Sequence, residues 1–124
     1  MTSRPLLLIP ETMQYFDPDA GAALKAAVDD LVTGWEGVTE RTMFGCPSYQ
    51  ADGTLFAVVV TGAIALTRLP ESARDDLERE YETGPFEAGD RTVPSWTQVD
   101  IDEPSVVAAL EPFVRASYET ALAE

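Results

Sequence analysis

The chain contains no histidine, one cysteine (Cys46) and one lysine (Lys25). Without histidine there is no Ser-His-Asp or Cys-His nucleophile system and no imidazole general base. The commonest ligand of zinc, iron and copper sites is missing as well. A single cysteine cannot form an intrachain disulfide, which fits a reducing compartment and predicts a cytoplasmic protein. Lys25 lies in a helical pattern, with no Gly-Lys phosphate loop and no G-x-G-x-x-G segment anywhere in the chain. The aliphatic run Leu6-Leu7-Leu8-Ile9 is stopped by Pro10 and is too short for a signal core or a membrane span. No internal repeat or low-complexity tract is present.

Acid is abundant. The 124 residues carry 22 Asp and Glu against 8 Lys and Arg, a formal net charge of −14. Such a surface repels phosphate backbones, and the arginines are scattered rather than gathered into a patch, so direct nucleic-acid binding is not expected. The acids are spread along the whole chain. At molar salt the Debye length falls to about 3 Å and their mutual repulsion is screened, so the pattern predicts adaptation to a salty cytoplasm. The length predicts one domain with a core of its own.

Residues 1–16 read as an N-terminal arm and residues 17–124 as the domain. Asp17-Pro18 has the form of a helix N-cap and first helical position. Ala20, Leu24, Ala27, Val28, Leu31, Val32 and Trp35 then recur at helical spacing up to Gly34 and Gly37. Strands are expected at 38–44, 54–60 and 63–67, with 46–51 either a strand extension or a long turn. Leu55 to Val60 is apolar at every position, as in a central strand covered on both sides. Asp52-Gly53 and Thr61-Gly62 are turn signals. Pro70 opens a second helix, which Gly84-Pro85 closes. Along it, i,i+4 spacing pairs Arg74 with Glu78 and Asp75 with Arg79. Ser95 to Ile101 alternates like a half-buried strand. A helical region over 104–122, capped by Asp102, should break near Glu111 because Pro112 lacks an N–H. The class is α+β, an antiparallel sheet packed by helices in the order α-β-β-β-α-β(β)-α.

The segment Arg41-Thr42-Met43-Phe44-Gly45-Cys46-Pro47, followed by Asp52-Gly53 and Leu55-Phe56-Ala57, resembles the opening hairpin of the TfoX/Sxy N-terminal domain family. The F-G-C-P form marks a subgroup of single-domain members. The resemblance continues through Arg68-Leu69-Pro70-Glu71, Pro85-Phe86-Glu87, Arg91 and the Trp96 strand. It implies a secretion-chaperone-like fold. It also implies a regulatory or protein-interaction role, because longer relatives are competence regulators with a second, helical domain. Many members carry an aromatic residue and a lysine in the strand that here reads Ala63-Ile64-Ala65-Leu66-Thr67.

Candidate ligand or partner contacts are Arg41, Phe44, Gly45, Cys46, Tyr49, Arg68, Arg91 and Trp96. Two functions compete. One is a partner-binding or self-associating module that catalyses nothing and uses no cofactor or metal. The other is a binder of small anionic molecules, since a guanidinium presents a planar fork to carboxylate or phosphate. Paired acids such as Asp29-Asp30 and Asp75-Asp76 point in different directions on a helix and are expected to be solvated surface. The acid excess gives the first prediction. The urea midpoint should rise steeply between low and molar KCl; a midpoint that stays flat contradicts adaptation to salt.

Overall fold

The structure is a computed structural model that describes residues 16, 17, 19–43, 45–88 and 91–124. The expected arm, with Leu6 to Ile9 and Tyr15, lies outside the described residues. Phe16 at its end is buried, and the Asp17 N–H donates to Thr61 Oγ1 at 2.7 Å. Asp17 caps a turn rather than the first helix, its Oδ1 accepting from the N–H groups of Asp19 and Ala20 at 2.8 and 3.3 Å; the helix begins later, at Ala22, with Gly21 as its N-cap.

Helix α1 (Ala22–Val32) buries Leu24, Val28 and Val32 along one stripe. Strands β1 (Val38–Met43), β2 (Cys46–Ala51), β3 (Thr54–Val60) and β4 (Ala63–Leu66) follow as a meander. Helix α2 (Glu71–Glu80), the hairpin β5 (Thr83–Ala88) and β6 (Arg91–Asp100), and helices α3 (Val106–Ala109) and α4 (Glu111–Ala123) complete the described chain. The sheet is antiparallel and six-stranded, in the order β1-β2-β3-β4-β6-β5.

Tight turns set this meander. Asp52 and Gly53, at φ +50° and +87°, form the left-handed pair of a type I′ turn between β2 and β3. Gly45 and Gly62 take φ +76° and +78° in the turns before β2 and β4. A glycine at position 45 of a strand pattern points to a bulge or a close backbone approach. It closes the β1–β2 turn instead, and the irregularity falls at Tyr49/Gln50. Residues 46–51 thus form a strand rather than a long turn. The Asp-Gly turn joins β2 to β3.

Strand β3 is interior, between β2 and β4. Successive side chains of a strand point to opposite faces. Phe56, Ala57, Val58 and Val59 all have 0 % exposure, as do Ile64, Ala65 and Leu66, so the β3–β4 pair is covered on both sides as expected. Helix α4 buries Val114, Tyr118 and Ala121 and docks on β3 by polar contacts as well as by the Tyr118 ring against Phe56. The buried Ser117 hydroxyl donates to the Phe56 carbonyl (2.8 Å) and accepts from the Arg68 N–H (3.0 Å). Phe56, Tyr118 and Trp35 form an aromatic cluster with ring centres 4.9–6.5 Å apart. The Tyr118 hydroxyl donates to the Glu36 carbonyl at 2.6 Å.

Four local expectations are corrected. Helix α2 ends at Glu80, where Tyr81 turns extended, so Gly84 and Pro85 lie in β5 instead of closing the helix. Proline cannot donate to a ladder, and Pro85 sits on the edge strand where pairing skips, from Pro85↔Thr97 to Phe86↔Val93. Asp102 does not cap α3, whose N-cap is Ser105 without a side-chain bond. On α2, Arg79 pairs with Asp76 at 3.0 Å rather than with Asp75. Arg74 makes no ion pair with Glu78. The break before Pro112 falls at Leu110, one residue from the expected position.

No helix among the described residues is long and apolar enough to cross a membrane. Phe56→Ala should cost about 3–5 kcal/mol in urea unfolding, because it empties the centre of the aromatic cluster. Leu122→Ala, at an exposed position, should cost under about 0.5 kcal/mol. Equal effects would contradict the placement of Phe56.

Candidate functional site

The sequence-predicted contacts fall on two parts of the sheet. Arg41, Gly45, Cys46 and Tyr49 share the β1–β2 hairpin, where Arg41 is opposite Ser48, Tyr49 opposite Glu40 and Cys46 opposite Met43. Phe44 lies outside the described residues. Arg68 and Trp96 leave from one end of the β4–β6 pair, since Leu66 is opposite Thr97. Arg91 lies at the start of β6, with its side chain outside the described residues. From β1 to β6 is four strand spacings of about 4.8 Å each, so these residues do not converge on one pocket.

Burial divides the hairpin set further. Arg41 and Gly45 are exposed, whereas Cys46 and Tyr49 are at 0 %. Desolvation pushes the Cys46 thiol from its ordinary 9.0 up to about 11. It is therefore protonated at neutral pH and no nucleophile. Arg68 is engaged twice, by its N–H to Ser117 and by its Nε to Glu124 Oε1 at 3.4 Å. Trp96 is half-buried against Phe86, ring centres 5.2 Å apart.

Tyr49 organises a polar network that the sequence did not reveal. Its hydroxyl donates to Asp29 Oδ1 on α1 at 2.6 Å. Asp29 Oδ2 accepts from Lys25 Nζ, one helical turn away, at 2.7 Å. The same ammonium reaches Glu40 on β1 at 3.3 Å. The only lysine of the chain thereby ties α1 to β1, while Tyr49 ties α1 to β2. Burial first, then the bond to Asp29, holds the tyrosine hydroxyl well above its ordinary range. The bond to Asp29 raises Lys25 against a smaller opposing desolvation. Lys25–Asp29 spacing is visible in the sequence; Tyr49 is not assignable while 46–51 stands between strand and turn.

Among the described residues, what remains open on this side is β1 itself. It is an edge strand, and Thr39, Glu40, Arg41 and Thr42 are exposed on it in succession. An edge strand presents unpaired N–H and C=O groups along one side. Among the described residues no group of three or more His, Cys, Asp or Glu is placed to hold a metal ion.

An open antiparallel sheet with a four-stranded meander, an intervening helix and a C-terminal helix defines an α+β domain whose opening hairpin carries the R-x-M-F-G segment. The family model of the TfoX N-terminal domain matches residues 30–121, and the chain belongs to that family. Among curated proteins and among solved structures no match is found.

The network gives a pH prediction. Cys46, Tyr49 and Lys25 all have folded pKa values raised above their ordinary values of 9.0, 10.0 and 10.5. Above those values the unfolded chain releases protons that the folded chain keeps, so their contribution is full below about pH 9 and is lost as pH rises further. Urea midpoints should be flat from pH 7 to 9 and fall above it. Tyr49→Phe should cost about 1–2 kcal/mol at pH 7, since it leaves Asp29 short of a donor. It should also make the alkaline decline shallower; an unchanged slope contradicts the role given to Tyr49.

Proposed function

We propose that this protein is a small regulatory or protein-interaction module that takes a partner along the open edge of β1 and catalyses nothing. The exposed edge strand carries the proposal: four consecutive exposed residues stand on the outer strand of a sheet whose next strand is almost wholly buried. Strand addition supplies affinity through main-chain bonds and selectivity through alternate side chains. The opposite edge is less suited, because Pro85 removes a donor from β5.

The family supports a regulatory role, and the composition supports a cytoplasmic, salt-adapted setting. The basic surface that a nucleic-acid reader needs is missing from the sequence. Charge also bears on the partner. A two-fold antiparallel pair places one residue opposite itself. In the registers that pair most of β1 this sets Glu40 against Glu40 or Arg41 against Arg41, and like charges directly opposite are destabilising. The strand therefore favours a different chain over a second copy, and a chain of net charge −14 favours a basic one.

The test is capture of the partner from native lysate at high salt, with wild type beside a Glu40→Arg, Arg41→Glu double variant. Glu40→Arg gives up the partly exposed ion pair with Lys25, so the unfolding free energy should fall by about 1–2 kcal/mol while the chain stays folded. The expected result is loss of the captured protein, with light scattering showing a monomer for the isolated chain. Capture unaffected by the reversal, or a stable homodimer, contradicts this mode of binding.

A further inference from the structure

On the side of the sheet away from β1, helix α2 and the β5–β6 hairpin enclose an open cavity of about 470 Å³ lined by Arg74, Glu78, Thr83, Gly84, Pro85 and Thr97. Two features of its wall are unusual for this chain. Arg74 is half-buried, and its Nε–H is shut off from solvent without a hydrogen-bond partner. An orphaned buried donor costs about 1–3 kcal/mol; because this one is sealed from solvent, a molecule in the cavity would meet the guanidinium through its other N–H groups. Arg74 and Glu78 also stand one turn apart on α2, at the spacing that ordinarily pairs opposite charges. No ion pair joins them or engages either with any other described residue. Lys25, Arg68, Arg79 and Arg115 all have carboxylate partners, as an acid-rich chain makes easy.

A guanidinium and a carboxylate that line one cavity and do not meet are complementary to a molecule bearing both charges. We propose that this cavity binds a small amino-acid-like zwitterion, its carboxylate on the Arg74 fork and its ammonium on Glu78. A bare anion would leave Glu78 facing its negative charge, and a bare cation would leave Arg74 unpaired. The Thr83 and Thr97 hydroxyls offer further donors and acceptors on the strand side. Gly84 leaves that wall open, since a Cβ there would meet nothing within 4 Å. The site stands on β5 and β6 and is independent of partner binding at β1.

The experiment is an amide and arginine-Nε NMR titration of the full chain with glycine, acetate and methylammonium, at ionic strength held constant with NaCl. Glycine should move the Arg74 Nε–H and the Thr83 and Gly84 amides saturably, with acetate about tenfold weaker for want of the ammonium contact. Glu78→Gln, an exposed and shape-preserving change, should bring glycine down to the acetate level. Arg74→Met should abolish both responses. Glycine and acetate binding equally, shifts that stay linear without saturating, or shifts that survive Arg74→Met would overturn the proposal.

Discussion

Two-sided burial of the β3–β4 pair is the constraint on which the rest of this fold depends. A strand that is apolar at every position has no face to give to water, so it has to lie inside the sheet and be covered above and below. Phe56 to Val59 and Ile64 to Leu66 meet that demand completely. Their position displaces β1 and β5 to the edges. Helix α4 is held over β3 by Ser117, which gives the Arg68 N–H its acceptor and shares the Phe56 carbonyl with the Thr67 N–H. The apolar core and the polar dock are thus one arrangement.

Charge is organised around that core with few cations. Lys25 joins α1 to β1, Arg68 meets Glu124 at the chain end, and Arg115 lies 4.7 Å above the Trp35 ring. Arg41 is exposed on the open edge, and Arg74 lines a cavity without a partner. In a chain so rich in carboxylates, these two guanidinium groups stand without an ion-pair partner among the described residues, and the proposals of binding rest on them. The two lie toward opposite edges of the sheet, so the two binding proposals are independent of one another.

Strong local signals carried most of the fold. The Asp52-Gly53 turn, the two-faced run before Val60 and the proline break before Pro112 depend on a few neighbouring residues, and each appears where local chemistry dictates. Strand β2 is ambiguous in the sequence because Pro47 and Ser48 carry little strand preference; its place is set by pairing with both β1 and β3. Gly84-Pro85 misleads for a similar reason, since an edge strand tolerates a proline that a helix would end on. The candidate site was less legible. Arg41 and Tyr49 are close in sequence, yet one faces solvent and the other is sealed against Asp29, a difference set by tertiary packing. Arg74 looks like half of a surface ion pair, and only the hairpin opposite it shows otherwise.

A domain with a protected interior and an accessible edge has a distinct signature in its main-chain hydrogen bonds. Local openings range from near zero at exposed edges up to the global stability in the core. Native-state hydrogen exchange of the isolated chain at molar salt, followed residue by residue at two protein concentrations, measures that gradient directly. The account predicts β3 and β4 amides protected to the global limit. It predicts that alternate β1 amides, those on the open side, exchange nearly as fast as in an unfolded chain at both concentrations. Protection across the whole of β1 in the isolated chain, or protection that grows with concentration, would mean that the edge is already occupied and would contradict the claim.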